Sequence, residues 1–339
     1  MTEKLLKELE CFKLSSEKVR LGCKSDGGYV IPKVMMEDFD VLYSYGVGDD
    51  ISFEVDLLNY RAPIIRMYDH TVDRLPVVNE QINFYREGLA SSSQGNNLNS
   101  FEHHIKKNSD VGKKILLKID IEEAEYEYFL NTDISDFTNV NGIVLELHNI
   151  ERRLDEVVTV LRKINEIFSL VHIHGNNYDT VFLSESYVIP NALELVFMKS
   201  SLYNGIIVGK GAGQYPITNK DYPCAPSLED YPLDFTERPK KLKSDEKKWI
   251  ELLSNRSRYL LRSLYSAQDA INVKDDYIES LKKTLKEKDD YIISLGNATE
   301  EKDDYIESLK KALKEKDDFL KSWQKKRGLY SSLRSPRQK

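Results

Sequence analysis

Between residues 41 and 199, short apolar runs alternate with amphipathic stretches, and no other feature limits the fold of this chain as tightly. The runs are VLYSYGVG (41–48), IIRMYD (64–69), INFYREG (82–88), KILLKID (114–120), GIVLELH (142–148), LVHIHG (170–175) and ALELVFMK (192–199). Helical patterns at 51–60, 97–108, 122–131 and 151–167 lie between most of them. Near-continuous apolar strands alternating with helices build a mostly parallel sheet covered on both faces, so the expected class is α/β and Rossmann-like. Several runs end in a polar group: Asp69, Asp120, His148 and His174. In open α/β sheets ligands bind outside the carboxyl ends of the strands, which makes these the first candidate site residues.

The pattern changes after about residue 240. KDDYIESLKKTLKE (274–287) returns as KDDYIISLGNATEE (288–301), KDDYIESLKKALKE (302–315) and KDDFLKSWQ (316–324), a 14-residue period of two heptads. Position a carries Leu264, Ile271, Ile278, Leu285, Ile292, Thr299, Ile306, Leu313 and Leu320, while position d alternates apolar residues with lysine, as in Leu281, Lys288, Leu295, Lys302, Leu309 and Lys316. A sustained a/d seam predicts a coiled coil over 246–324, roughly 120 Å long if wholly helical. Gly296 and Asn297 interrupt it. A single helix cannot bury that stripe, so homo-oligomerisation is expected. The domain plan is therefore 1–240, 246–324 and a basic tail, 325–339, with six Lys or Arg and no acid. With Trp323, Leu329, Tyr330 and Leu333 as apolar anchors, that tail suits contact with an anionic membrane surface.

Charge and cysteine content narrow the setting. A net charge of −7 argues against a nucleic-acid partner, which needs a basic face to displace counterions. Three cysteines without CxxC spacing, and no apolar leader in MTEKLLKELECFK, lead to the expectation of a cytoplasmic protein, peripheral at the inner membrane face if the tail binds lipid.

The first strand runs into a glycine turn and then a helix, YSYGVGDDISFE (43–54). Gly46 and Gly48 permit a sharp turn and close approach of a ligand. The third glycine of a dinucleotide fingerprint is replaced by Ile51, and Asp49 and Asp50 would repel a pyrophosphate. Those charges suit a ligand bearing an ammonium and a sulfonium. Asp69, about twenty residues on, is placed to accept hydrogen bonds from a ribose. These features favour S-adenosylmethionine over a nicotinamide dinucleotide, and so a transferase over an oxidoreductase.

Six segments together, KSDGGYVIP (24–32), YSYGVGDDISFE (43–54), MYDHT (67–71), LLKIDIEEAEYEYF (116–129), VLELH (144–148) and VHIHGNN (171–177), resemble the FkbM-type methyltransferases over roughly residues 12–240. The resemblance implies a class I methyltransferase fold of seven strands, the last antiparallel, and methyl transfer to an oxygen, often on a sugar or glycan. It implies that Gly46, Gly48 and Asp49 line the methionine end of the cofactor, Asp69 its ribose, and Gly88–Ser91 its adenine. The family pattern K-I-D-I-E-G-A-E has Glu123 in place of its glycine here, which is compatible with the first turn of the following helix.

An alcohol acceptor needs a base or a metal to help remove its proton. His148 is the first candidate base and His174 the second, with Asp120 to orient the base or, with Glu146, to hold a divalent cation. Asn176 and Tyr29 are candidate substrate contacts, Tyr29 as part of a lid formed by Asp26-Gly27-Gly28-Tyr29. His103 and His104 are expected on an exposed helix face, and GKGAG (209–213) lacks the ending of a phosphate loop. The alternative reading is a methyltransferase-fold scaffold without activity, to which Glu123 is the pointer.

Overall fold

The computed structural model describes residues 1–233 apart from 62, 77, 78, 94, 96, 185, 186 and 212, together with 286, 288, 302, 306–322, 324 and 325. The chain divides into two compact units, Met1–Arg256 and Ser257–Lys339. In the first, all seven expected strands join one sheet: β1 (Val41–Tyr45), β2 (Ile64–Tyr68), β3 (Ile82–Tyr85), β4 (Ile115–Ile119), β5 (Val140–Leu147), β6 (Phe168–Gly175) and β7 (Leu193–Lys199).

Their spatial order is β6-β7-β5-β4-β1-β2-β3. Neighbours from β5 to β3 run parallel, and β7 is antiparallel to both β5 and β6. This is the Rossmann-like class I methyltransferase sheet, with its last strand inserted between the fifth and sixth. The antiparallel insertion has a local cause. No helical pattern separates residues 175 and 193; the chain instead makes a hairpin of Val181–Ser184 with Tyr187–Pro190, which returns it without the crossover a parallel strand needs. The strand order reverses between β1 and β4, and a crevice opens at the carboxyl ends there.

Period-two alternation sorts the strand residues onto two faces. Val41, Tyr43, Tyr45, Ile115, Leu117 and Ile119 pack in one core with the helices Phe101–Lys107, Ala124–Asn131 and Leu154–Asn165. Leu42, Leu116, Val144 and Val196 pack in the other, with the helices Lys33–Glu37 and Ser52–Arg61 and the hairpin of Lys18–Leu21 with Tyr29–Pro32. The same alternation puts Ser44, Lys118, Glu146 and Glu194 on this second face, all buried. Four polar groups on four adjacent strands thus converge near the crevice.

In the second unit residues 306–322 are helical and exposed. Ile306, Leu309, Leu313 and Leu320 stand 42–63% exposed. Most of the heptad positions before Lys302, Gly296 and Asn297, and Trp323, Leu329, Tyr330 and Leu333 lie outside the described residues. No helix among the described residues is long and apolar enough to cross a membrane.

Candidate active site

A cleft of about 690 Å³ opens at the carboxyl ends of β1, β2 and β4. Gly46, Gly48, Asp49 and Asp69 line one wall, Gly88, Leu89, Ala90 and Ser91 the far end, and Lys118, Asp120 and Glu122 the opposite side. Every expected cofactor residue is therefore in one cavity. Its floor is aromatic: Tyr45 and Tyr68 stack at 5.1 Å between ring centroids, and both line the cleft.

The turn after β1 is built by two different requirements. Gly46 has φ +79°, and a Cβ there would fall 1.4 Å from the carbonyl oxygen of Asp120, so the residue lets the ends of β1 and β4 meet rather than making room for a ligand. Gly48 has φ +53° and open space around it; only its backbone conformation favours glycine. Asp69 braces the turn. Its Oδ2 accepts from the backbone N–H groups of Val47 (3.0 Å) and Gly48 (3.3 Å), and its Oδ1 from the N–H (2.8 Å) and hydroxyl (2.6 Å) of Thr71. Burial raises the carboxyl's pKa, but these hydrogen bonds outweigh it and hold the group ionised below the usual range. Asp50 caps the next helix by accepting from the Ser52 N–H at 2.7 Å, so a carboxylate already occupies the place a pyrophosphate would take.

Across the cleft, His148 stands in a ring of acids. Its Nδ1 lies 3.2 Å from Glu125 Oε1, which also accepts from the His148 backbone N–H at 3.0 Å. Its Nε2 lies 3.7 Å from Asp120, 3.6 Å from Glu122 and 3.6 Å from Glu146. Burial opposes a charge on the ring, yet the Glu125 hydrogen bond and the carboxylates of Glu146, Glu125 and Asp120 push its pKa up to about 10. The ring is an imidazolium at neutral pH, not a free base. Burial, then Asp120 and Glu194, raises Glu146 well above the ordinary carboxyl range. His148 and Glu122 also face a second hollow of about 550 Å³, with Asn149, Arg152, Asp179, Thr180 and Asn191 around it. Glu122 belongs to both cavities and stands at the lip between them.

Four sequence expectations change. His174, the second candidate base, is buried between Glu194 Oε2 (2.8 Å) and Asp230 Oδ1 (3.0 Å), away from the cleft. It ties the segment 215–233 to β6, as His172 does through Asp221 at 2.9 Å. Tyr29 is not a lid: it is buried beneath the crevice, its hydroxyl 3.1 Å from Asp120 and 3.4 Å from Glu146. Asn176 spends its amide hydrogens on Glu146 (2.8 Å) and Asp26 (3.3 Å), so it positions a carboxylate rather than a substrate. His104 is buried, not exposed; its ring stacks on Tyr68 at 4.1 Å and its Nδ1 meets the Tyr45 hydroxyl at 3.0 Å. GKGAG is no phosphate loop, since Gly209 and Lys210 pair with Phe12 and Lys13 in a two-stranded sheet.

Glu123 needs a different account as well. It is not in the first helical turn but precedes it at φ 72°, in the left-handed region where a glycine is at ease. Its carboxylate reaches Arg153 at 3.0 Å and Asn149 at 3.1 Å, and it is not among the lining residues of the larger cleft.

Lys118, Glu125 and Glu194 went unnoticed in the sequence, and Asp26 was read only as part of a lid. Lys118 is a buried cation 3.8 Å from Glu54, beneath the Tyr29 ring at 5.2 Å; burial disfavours its charge, but Glu54, Asp120 and Glu146 more than restore it. Burial, followed by Glu194 and Asp120, raises Asp26 to about 6. The available signal was a lone charge at an inward position of a fully apolar strand, as in ILLKI and LELVFMK.

No family model matches the sequence, and no curated protein matches it. Among solved structures, a fibrillarin/Nop5p complex matches over 48% of this chain and 73% of that chain, at 14% identity and a TM-score of 0.29. Precorrin-6y C5,15-methyltransferase from Geobacter metallireducens GS-15 matches over 57% of this chain and 86% of that one, at 12% identity and a TM-score of 0.24. The functional reading rests on the sheet order and the cleft, not on these likenesses.

Proposed function

We propose that this chain is an S-adenosylmethionine-dependent O-methyltransferase whose acceptor is a sugar or a cell-surface glycan precursor. One observation carries the cofactor assignment: the glycine turn, Asp69 and the Gly88–Ser91 segment share a single cleft at the strand-order reversal, with Asp120 opposite. Asp49 and the Asp69-braced turn give an ammonium and a sulfonium a negative wall. The aromatic floor and the small residues from Gly88 to Ser91 suit an adenine ring. The acceptor belongs in the second hollow, where Asn149, Thr180, Asp179, Arg152 and Asn191 offer the mixed donors and acceptors that hydroxyl groups need.

Methyl transfer is an in-line displacement and depends first on position. The lip formed by Asp120, Glu122 and His148 is the meeting point of the two cavities. With four carboxylates stabilising its proton, His148 serves as base only once that proton has left. Glu123 lies outside the larger cleft but lines the second hollow, so its bearing is on the acceptor and not on cofactor binding. The exposed a and d residues of 306–322 favour self-association through the C-terminal helix, and the basic tail favours an anionic membrane surface.

Isothermal titration of the full chain with S-adenosylhomocysteine tests the reading. Micromolar binding supports it, and no binding by a folded protein removes it. Light scattering tests the assembly: truncation after residue 240 should give a smaller particle that still binds the product, whereas a monomeric full chain would refute the coiled coil.

A further inference from the structure

The geometry points to a divalent-cation site of the Mn²⁺ class held by Asp120, Glu122 and His148, with Glu146 closing a fourth side. The ligand atoms of the first three lie within 4.8 Å of one another. The distances around His148 Nε2 are too long for hydrogen bonds, which need about 2.7–3.2 Å. At 3.6–3.7 Å from three carboxylates, they stand within a few tenths of an ångström of a shared coordination sphere. Ligand atoms about 2.1 Å from one ion sit roughly 3.0–3.4 Å apart.

A second observation is independent of that spacing. The Glu146 side chain is only 3% exposed; its Oε1 lies 3.6 Å from His148 Nε2 and accepts from Asn176 at 2.8 Å, while its Oε2 shares one donor with Asp120. Among the described residues Glu146 Oε2 accepts from the Tyr29 hydroxyl, at 3.4 Å, and the same hydroxyl is closer to Asp120, at 3.1 Å. One O–H cannot serve two carboxylates. Two acids with one donor between them leave a place for a cation at the lip, which on binding would displace the His148 Nε2 proton.

The layer behind the ligands agrees. Glu125, fully buried, sits on His148 Nδ1 and leaves Nε2 facing the carboxylates, the carboxylate–histidine arrangement that orients metal ligands. Three oxygens and one imidazole select a hard or borderline ion that takes both donor types. Glu122 leaves the site open to both cavities, so the ion can also take an acceptor hydroxyl. That last role rests on the methyltransferase reading; binding of the ion does not.

The test uses the full chain dialysed against a chelator and titrated with Mn²⁺, with free Mn²⁺ followed by electron paramagnetic resonance. The expected result is one Mn²⁺ per chain in the micromolar range, weakened at least about tenfold by Glu122→Gln. The Glu122 side chain is 85% exposed, so this variant keeps the fold. No uptake by the folded chain up to millimolar Mn²⁺, or equal affinity in Glu122→Gln, overturns the site. The wild-type sample is titrated with S-adenosylhomocysteine alongside. Product binding without Mn²⁺ uptake defeats this inference alone; Mn²⁺ uptake without product binding keeps it and defeats the methyltransferase reading.

Discussion

Asp69 accepts a hydrogen bond from the backbone N–H of Gly48 at 3.3 Å, so the residue proposed to face the ribose also fixes the turn proposed to cradle the cofactor. Both its oxygens are engaged, by Val47 and Gly48 on one side and Thr71 on the other. Asp69→Ala should therefore weaken S-adenosylhomocysteine binding by roughly 1.5–3 kcal/mol, the range for hydrogen bonds to a charged group. Asp69→Asn, which keeps one acceptor oxygen, should cost less. Unchanged affinity in a folded Asp69→Ala chain would remove Asp69 from the site.

The two glycines of the turn should respond very differently to a methyl group. Gly46→Ala forces a Cβ onto the Asp120 carbonyl and should destabilise the fold by several kcal/mol. Gly48→Ala meets nothing and carries only the left-handed backbone penalty, about 1–2 kcal/mol. Thermal unfolding of the pair checks this; equal losses would contradict the separate roles.

At Glu123 a change toward glycine should be nearly neutral. Glu123→Gly relieves a left-handed conformation worth about 1–2 kcal/mol and gives up a surface ion pair with Arg153, worth about 0.2–1 kcal/mol, and the Asn149 hydrogen bond, worth about 0.5–1.5 kcal/mol. The expected outcome is a stability within about 1.5 kcal/mol of the parent chain, with product affinity unaltered. Urea unfolding measures the first and calorimetry the second.

His104 sets an acid-side weakness. Burial lowers its pKa to about 4, against the pull of Glu87. Below about pH 6.5 the unfolded chain takes up a proton that the folded ring refuses, so stability falls as pH drops from there toward 4. The loss between about pH 7 and about pH 5 should be on the order of 1–2 kcal/mol. His104→Gln should flatten that slope while lowering stability at pH 7, because Tyr45 loses its ring partner. An unchanged slope would place the acid sensitivity elsewhere.

The strands and their polarity were legible because burial leaves a local mark. Runs such as VLYSY and ILLKI show a period and a length that neighbouring residues alone determine, and one wall of the cleft follows from them: Gly46, Gly48, Asp49, Asp69 and Gly88 all sit at or just beyond strand ends. Strand order was not written locally, but the missing helical pattern before β7 carried part of it.

The proposed acceptor side was decided by tertiary structure. Whether a histidine is a base, a tie or a core ring depends on what faces it from distant segments. His148 meets Glu125, 23 positions before it, whereas His174 meets Asp230, 56 positions after it. His103 and His104 are neighbours in sequence, yet only His104 turns inward, onto Tyr68. Sequence alone determined the strands and the glycine-turn wall of the cleft, because strand periodicity and length are local. Register and crossovers determined which charges meet, and electrostatic energy depends on those distances rather than on residue type.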